Sequence, residues 1–179
     1  MIIRSASDSD VGAIAQIYGH HVLHGLGTFE ELPPGASDMA LRKASVDALG
    51  LPWLVAEAGG VIGYAYAAPF RTRAAYRYTV EDSVYVAPDQ LGRGVGKALV
   101  ARLIEICEAM GLRQMMAVIG DSANAGSIGL HRSLGFETTG VSTAVGFKFG
   151  RWVDVVWMQR SLASGDRAPP DGPGLRLAP

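Results

Sequence analysis

The sequence predicts an α/β fold built on a single mixed, mostly antiparallel sheet with a central parallel pair, flanked by helices. Three observations carry this expectation. Two runs rich in strand formers, "PWLVAEA" and "VIGYAYAAPF", surround Gly59-Gly60, which is the signature of a hairpin. "TVEDSVYV" and "RQMMAVIG" are two further strands separated by a whole helical pattern, so a right-handed crossover makes them parallel neighbours. "VSTAVGFKFGRWVDVVWMQRSL" reads as a last antiparallel pair turning at Gly150-Arg151.

The elements follow in order. A short strand at Ile2 to Arg4 precedes "SDSD", which supplies N-caps for a helix with Val11, Ile14, Ile17 and Tyr18 at helical spacing, ending near Gly25. Pro33 and Pro34 break the next loop, after which Ser37 or Asp38 caps a second helix through about Leu49. In "TVEDSVYV" a period of two puts Val80, Asp82, Val84 and Val86 on one face and Glu81, Ser83 and Tyr85 on the other. The helix after Gly92 carries Val95, Leu99, Leu103, Ile106 and Met110 on one stripe, widened by Ala98 and Val100, and stops at Gly111. "NAGSIGLHRSLGF" predicts a short helix ended by Gly135. One domain is expected over residues 1–162. Residues 163–179, rich in proline, glycine and charge, read as a disordered tail.

Composition narrows the function. With 16 basic against 17 acidic residues the chain has no global field that would draw it to nucleic acid or a membrane surface, so no such partner is expected. The N-terminus lacks a signal peptide's pattern and no stretch reaches the roughly 18 apolar residues of a spanning helix, which points to a cytoplasmic protein. The single cysteine, Cys107, allows no disulfide framework and sits in a helical pattern as a packing residue. His20 and His24 stand four apart in "HHVLH", but without the carboxylate of H-E-x-x-H, and no metal is expected.

The sharpest local signal is "QLGRGVGK". Three glycines at 92, 94 and 96 open a helix whose free N–H groups and partial positive charge suit a phosphate, with Arg93 and Lys97 close by. The same residues also fit a tight strand-to-helix turn with no ligand. A Walker loop is excluded because "GKA" lacks the hydroxyl that would hold magnesium, and a Rossmann fingerprint is excluded because Lys97 stands at its sixth position.

At this turn the sequence resembles the GNAT superfamily of N-acetyltransferases, whose motif Gln/Arg-x-x-Gly-x-Gly/Ala is matched by Leu91 to Gly96, with Leu91 as the departure. A later family motif resembles Asn124, Ser127, Leu130, His131 and Gly135-Phe136. Through "GTFEE", "PFRTRAAYRYTVEDSVYV", "AVIGDSANAGSIGLH" and "GFKFGRWVDVVWMQRSL" the chain is similar to the phosphinothricin and methionine sulfone or sulfoximine N-acetyltransferases over Ile2 to Leu162. The resemblance implies acetyl-CoA as co-substrate. It implies that Val84, Tyr85 and Val86 offer strand backbone to the pantetheine arm, that Gly92, Arg93, Gly94, Val95, Gly96 and Lys97 hold the pyrophosphate, and that Asn124 and Ser127 contact the cofactor. It aligns Glu81 with the general base and His131 with the position where many relatives carry a tyrosine acid. It also places substrate contacts at Arg71, Thr72 and Arg73 and a homodimer through the C-terminal strands.

The chemistry suits these residue types. An ammonium cannot attack a thioester until a base takes its proton, and a carboxylate on the neighbouring strand can do so. His131 reads either as an acid for the leaving thiolate or as a helix histidine bonded to a carbonyl. Arg71 and Arg73 read either as a solvated loop or as a fork for a carboxylate or phosphinate, with Phe29 and Glu30 as pocket walls. Trp152 and Trp157 read as core or dimer contacts. The expected reaction is acetyl transfer from acetyl-CoA to a small amino-acid-like amine. A peptide or polyamine substrate, or a non-catalytic acyl-CoA sensor, are the rivals.

Overall fold

The computed structural model describes residues 1–177. Its seven strands are β1 (Ile2–Ser5), β2 (Trp53–Glu57), β3 (Val61–Pro69), β4 (Thr79–Val86), β5 (Gln114–Gly120), β6 (Glu137–Lys148) and β7 (Arg151–Ser161), and its helices are α1 (Val11–His24), α2 (Ala36–Asp47), α3 (Val95–Ala109) and α4 (Ala125–Ser133). The strands form one sheet in the order β1-β2-β3-β4-β5-β7-β6. The β4–β5 pair, joined through α3, is parallel, and the other neighbours are antiparallel, as the crossover argument requires.

Local chemistry places the helices. Asp10 takes a bidentate pair from Arg4 at 2.7 and 2.9 Å and the Ser7 N–H at 2.7 Å, which ties the end of β1 to the 3-10 turn that leads into α1. The Arg4 guanidinium holds the Asp10 carboxyl well below the usual carboxylate range. The second helix starts at Ala36 behind Gly35 and not at the expected Ser37 or Asp38 cap. Asp38 serves one turn in, accepting the Gly35 N–H at 3.2 Å.

On α3 the buried stripe is Val95, Leu99, Val100, Leu103, Ile104 and Cys107, while Met110, expected inside, is 38% exposed. Steps of four residues from Val95 lead to Leu103 and then Cys107, so the stripe follows the helical repeat past Ile106. Cys107 is core, and burial pushes its thiol up to about 12, with Asp82 and Glu108 adding to the shift, so it offers no thiolate. The last hairpin turns one residue earlier than expected. Phe149 and Gly150 both take positive φ, 52° and 73°, between the paired Lys148 and Arg151, which is the backbone of a tight primed turn.

Residues 163–177 correct the expectation of a disordered tail. Arg113 donates to the carbonyls of Ala168 and Pro169 at 2.6 and 2.9 Å, the Leu175 N–H reaches the Arg77 carbonyl at 2.8 Å, and the Leu175 side chain is buried. Composition misleads here because one leucine is enough when a groove beside Leu49, Met110 and Leu112 receives it. Residues 178 and 179 of the expected tail lie outside the described residues. Leu175→Ala is expected to lower unfolding stability by about 2 kcal/mol in urea titrations. No change would mean that the strap contributes nothing.

Candidate active site

The site is made by two strands that stop pairing. β4 and β5 are in register only from Thr79 opposite Gln114 to Asp82 opposite Ala117. Beyond that point β4 keeps β3 along Ser83–Val86, and β5 keeps β7 as far as Gly120 opposite Val155, so the facing edges diverge. Between them lies a cleft of about 750 Å³, closed by the turn at residues 90–97, by Asn124 to His131 and by the loop at Gly25–Thr28. The edge of β4 that borders it has no strand partner beyond Asp82, so its backbone groups are available to a ligand. One of them is already used: the Val86 carbonyl accepts from Nε2 of His21 at 2.8 Å. Burial lowers the His21 pKa, and sequence reasoning missed this residue because a lone helix histidine carries no signal.

The three glycines of the turn do different work. Gly92 and Gly94 have φ of 73° and 79°, and Gly94 is the N-cap of α3, where a side chain would be strained. Gly96 is buried against α4, and a methyl there would come within 2.8 Å of the Leu130 side chain. The N–H groups that open α3 and Lys97 face the cleft, which fits a pyrophosphate. Arg93 is exposed and donates to Gln90 at 3.3 Å, outside the cleft lining. Leu91 lines the cleft with its side chain 59% exposed, so its backbone matters there more than its residue type.

On α4, Asn124 is the N-cap: its Oδ1 accepts the Ser127 N–H at 3.1 Å, and its Nδ2 donates to the Gly120 carbonyl at 3.4 Å. His131 is buried, with Nε2 3.1 Å from Oδ2 of Asp82 and Nδ1 2.8 Å from the Ser127 carbonyl and 3.4 Å from the Ser127 hydroxyl. Burial alone would push the imidazole pKa down, but the hydrogen bond and charge of Asp82 outweigh it and raise it. Both ring nitrogens therefore meet acceptors, the Asp82 carboxylate and the Ser127 carbonyl.

The alternation read in β4 holds. Asp82 faces α3 and α4, whereas Glu81 faces the other side of the sheet, and both border the cleft where the strands part. Glu81 is half-buried. Burial raises its carboxyl pKa, the Asp82 charge adds to this, and the Arg71 charge partly offsets it.

Arg71 is exposed, with its guanidinium 4.0 Å from the Phe70 ring and 6.0 Å from the Trp157 ring. Trp157 therefore sits half-buried below a candidate substrate contact, while Trp152 is 66% exposed. Thr72 and Arg73 are exposed, and Arg73 heads the turn at Ala74–Tyr76 and does not join Arg71. Glu30 is not a free pocket carboxylate. Arg42 grips it at 2.6 and 3.0 Å and the Tyr18 hydroxyl at 2.8 Å, and Arg42 itself has no sequence signal beyond an exposed helical position. Phe29 packs on Gly146.

A parted parallel pair and a glycine-built turn at a helix start fit an acyltransferase of the GNAT class. The Acetyltransferase (GNAT) family model matches residues 14–136, and the chain belongs to that family. It is an acetyl-CoA-dependent N-acetyltransferase. It is 52% identical to a phosphinothricin N-acetyltransferase of Alcaligenes faecalis over 94% of this chain and 86% of that protein. It is 42% identical to an L-methionine sulfoximine/L-methionine sulfone acetyltransferase of Salmonella typhimurium over 96% and 99%. The crystal structure of a phosphinothricin acetyltransferase from Sinorhizobium meliloti in complex with acetyl-CoA is similar at a TM-score of 0.91 and 48% identity, covering 94% of this chain and 92% of that one.

The raised His131 pKa has a signed consequence. The Asp82–His131 pair contributes stability that is fully present below the ordinary histidine pKa of 6.5 and is lost as pH rises through the higher folded value. Urea unfolding across pH is expected to show this loss in the wild type and not in Asp82→Asn, and NMR titration of His131 is expected to show the drop in its pKa directly.

Proposed function

We propose that the protein acetylates the amine of a small amino-acid-like substrate of the phosphinothricin, methionine sulfone or methionine sulfoximine type, with Glu81 as general base. The observation that carries this is the half-buried Glu81 carboxylate at the parting of β4 and β5, its pKa raised by burial, within the field of Arg71. A carboxylate whose pKa is raised toward the working pH is a better base than an ordinary one. Acetyl-CoA supplies the activated acetyl thioester. The residues that would hold it are the N–H groups of the 92–97 turn, Lys97, the free edge of Val84 to Val86, and Asn124 and Ser127. A strand N–H at that edge is a donor for a developing oxyanion. On the opposite side of β4 His131 holds a proton whose path to the cleft passes the Ser127 hydroxyl, and this is the group we assign as the acid.

Arg71 is the anion contact for the substrate's carboxylate, its plane set by Phe70 and Trp157. A polyamine would want acidic walls, and here the acidic Glu30 is neutralised by Arg42. The names of the similar proteins support an amino-acid-like substrate. The proposal includes a cytoplasmic location and a homodimer. The dimer is supported by an exposed apolar face on the edge hairpin, where Phe147 and Trp152 pair across the strands with ring centroids 5.2 Å apart.

A thiol-release assay over a panel of amines tests the reading. Glu81→Gln is expected to lower kcat by roughly 10² to 10⁴ with CoA affinity kept. In the wild type kcat/KM should rise with pH through an apparent pKa above the ordinary 4.5 of a glutamate. Undiminished turnover in Glu81→Gln would remove the base assignment. Arg71→Ala is expected to raise KM for amino-acid amines roughly tenfold or more, the loss of one bidentate charge-assisted contact. Equal KM values for amines with and without a carboxylate in the wild type would count against Arg71.

A further inference from the structure

Lys148 stands at the end of β6 with its side chain buried in the body of the protein, and no step proposed above uses it. Its ammonium donates to two backbone carbonyls of a single loop, Gly25 at 2.9 Å and Thr28 at 2.8 Å. That loop leaves α1, forms one wall of the cleft through Gly25, Leu26, Gly27 and Thr28, and continues into Phe29 and Glu30, which lie outside the cleft lining against Gly146 and Arg42. A buried ammonium is a costly group, and burial lowers its pKa. A purely apolar side chain would fill the space at lower cost but would leave both carbonyls unpaired.

The same loop is seated from every side. On β5 a methyl at Gly120 would overlap the Leu26 carbonyl, so glycine is what lets the loop lie against that strand. On β6 a methyl at Gly146 would overlap the Phe29 ring. From α1 the Tyr18 hydroxyl meets that of Thr28 at 2.8 Å, and from α2 Arg42 locks Glu30. Each contact fixes one residue of the loop, whereas Lys148 spans its beginning and its end.

We infer that Lys148 is a positioning residue for acetyl transfer: by bridging the Gly25 and Thr28 carbonyls it sets the shape of the loop that forms one wall of the cleft that Glu81 also lines. The inference rests on the reading that the amine enters beside Glu81. Its ligand-facing consequence is specific. The 92–97 turn proposed for the pyrophosphate closes the same cleft but makes no hydrogen bond to the loop, so loss of the clamp is expected to act on the amine more than on the coenzyme's phosphates.

Lys148→Met keeps the aliphatic bulk and removes the donors. It is expected to speed amide hydrogen exchange in residues 25–30 and to raise amine KM roughly tenfold or more, the scale of a lost charge-assisted hydrogen bond. The CoA dissociation constant, measured by calorimetry, should stay within about twofold, well under the tenfold that 1.4 kcal/mol would give. Lys148→Gln keeps a donor and is expected to change both readouts in the same direction by less, so it tests the clamp if Lys148→Met fails to fold, and unchanged exchange at 25–30 in it would overturn the clamp equally. Unchanged exchange at 25–30 in folded Lys148→Met overturns the clamp whatever the amine is. Faster exchange with unchanged amine KM and kcat overturns its role in the reaction, as does an equal loss of amine and CoA binding. Wild-type turnover across the amine panel, run alongside, tests the substrate reading separately.

Discussion

β4 and β5 are parallel neighbours that share only four paired positions before their facing edges separate. Everything functional depends on that short pairing. Had it continued to the ends of both strands, the sheet would be closed where the cleft now lies, and the backbone of Val84 to Val86 would be spent on ladder bonds. The separation is tolerable because each strand keeps its other partner, β3 for β4 and β7 for β5, along its whole length. Backbone groups left without a strand partner carry a cost in a folded protein. A ligand that lies along the edge satisfies them.

The parting also distributes the charged groups. Successive residues of a strand face opposite ways, so Glu81 and Asp82 cannot serve one environment. Asp82 goes to the helix side and holds His131, which fixes α4 against β4 and with it Asn124 and Ser127. Such a buried pair is a weak source of net stability, since desolvation offsets most of the attraction. One oxygen of Asp82 is buried with no hydrogen-bond partner among the described residues, so the pair is not optimised for stability alone. Glu81 stays on the opposite face, where burial raises its carboxyl pKa and the Arg71 charge partly offsets this.

The wall facing these groups comes from distant parts of the chain. The 25–30 loop is seated by Tyr18, Arg42, Gly120, Gly146 and Lys148, which belong to four different elements. It is held from α1, α2 and the sheet, although it has no regular structure of its own. Lys148 lies between the exposed Phe147 and Phe149, so the hairpin that offers an apolar outer face also reaches the loop that walls the cleft.

The sequence by itself determined the element order, the parallel crossover, the glycine turn, the opposed faces of Glu81 and Asp82, and the family. Each of these is carried by signals local in the chain: periodicity, glycine spacing or a motif. Only the tertiary structure decided which partners each charged residue has. Glu30 was legible as a pocket wall but is consumed by Arg42, and His131, legible as an acid or a helix histidine, bonds the Ser127 carbonyl through one nitrogen and Asp82 through the other. Lys148, His21 and Arg42 carried no signal at all, and the tail residue Leu175 misled by composition. A hydrogen bond between residues more than a hundred positions apart, such as that of Lys148 with the Gly25 carbonyl, leaves no local pattern. Partner choice is set by which elements the sheet order brings together.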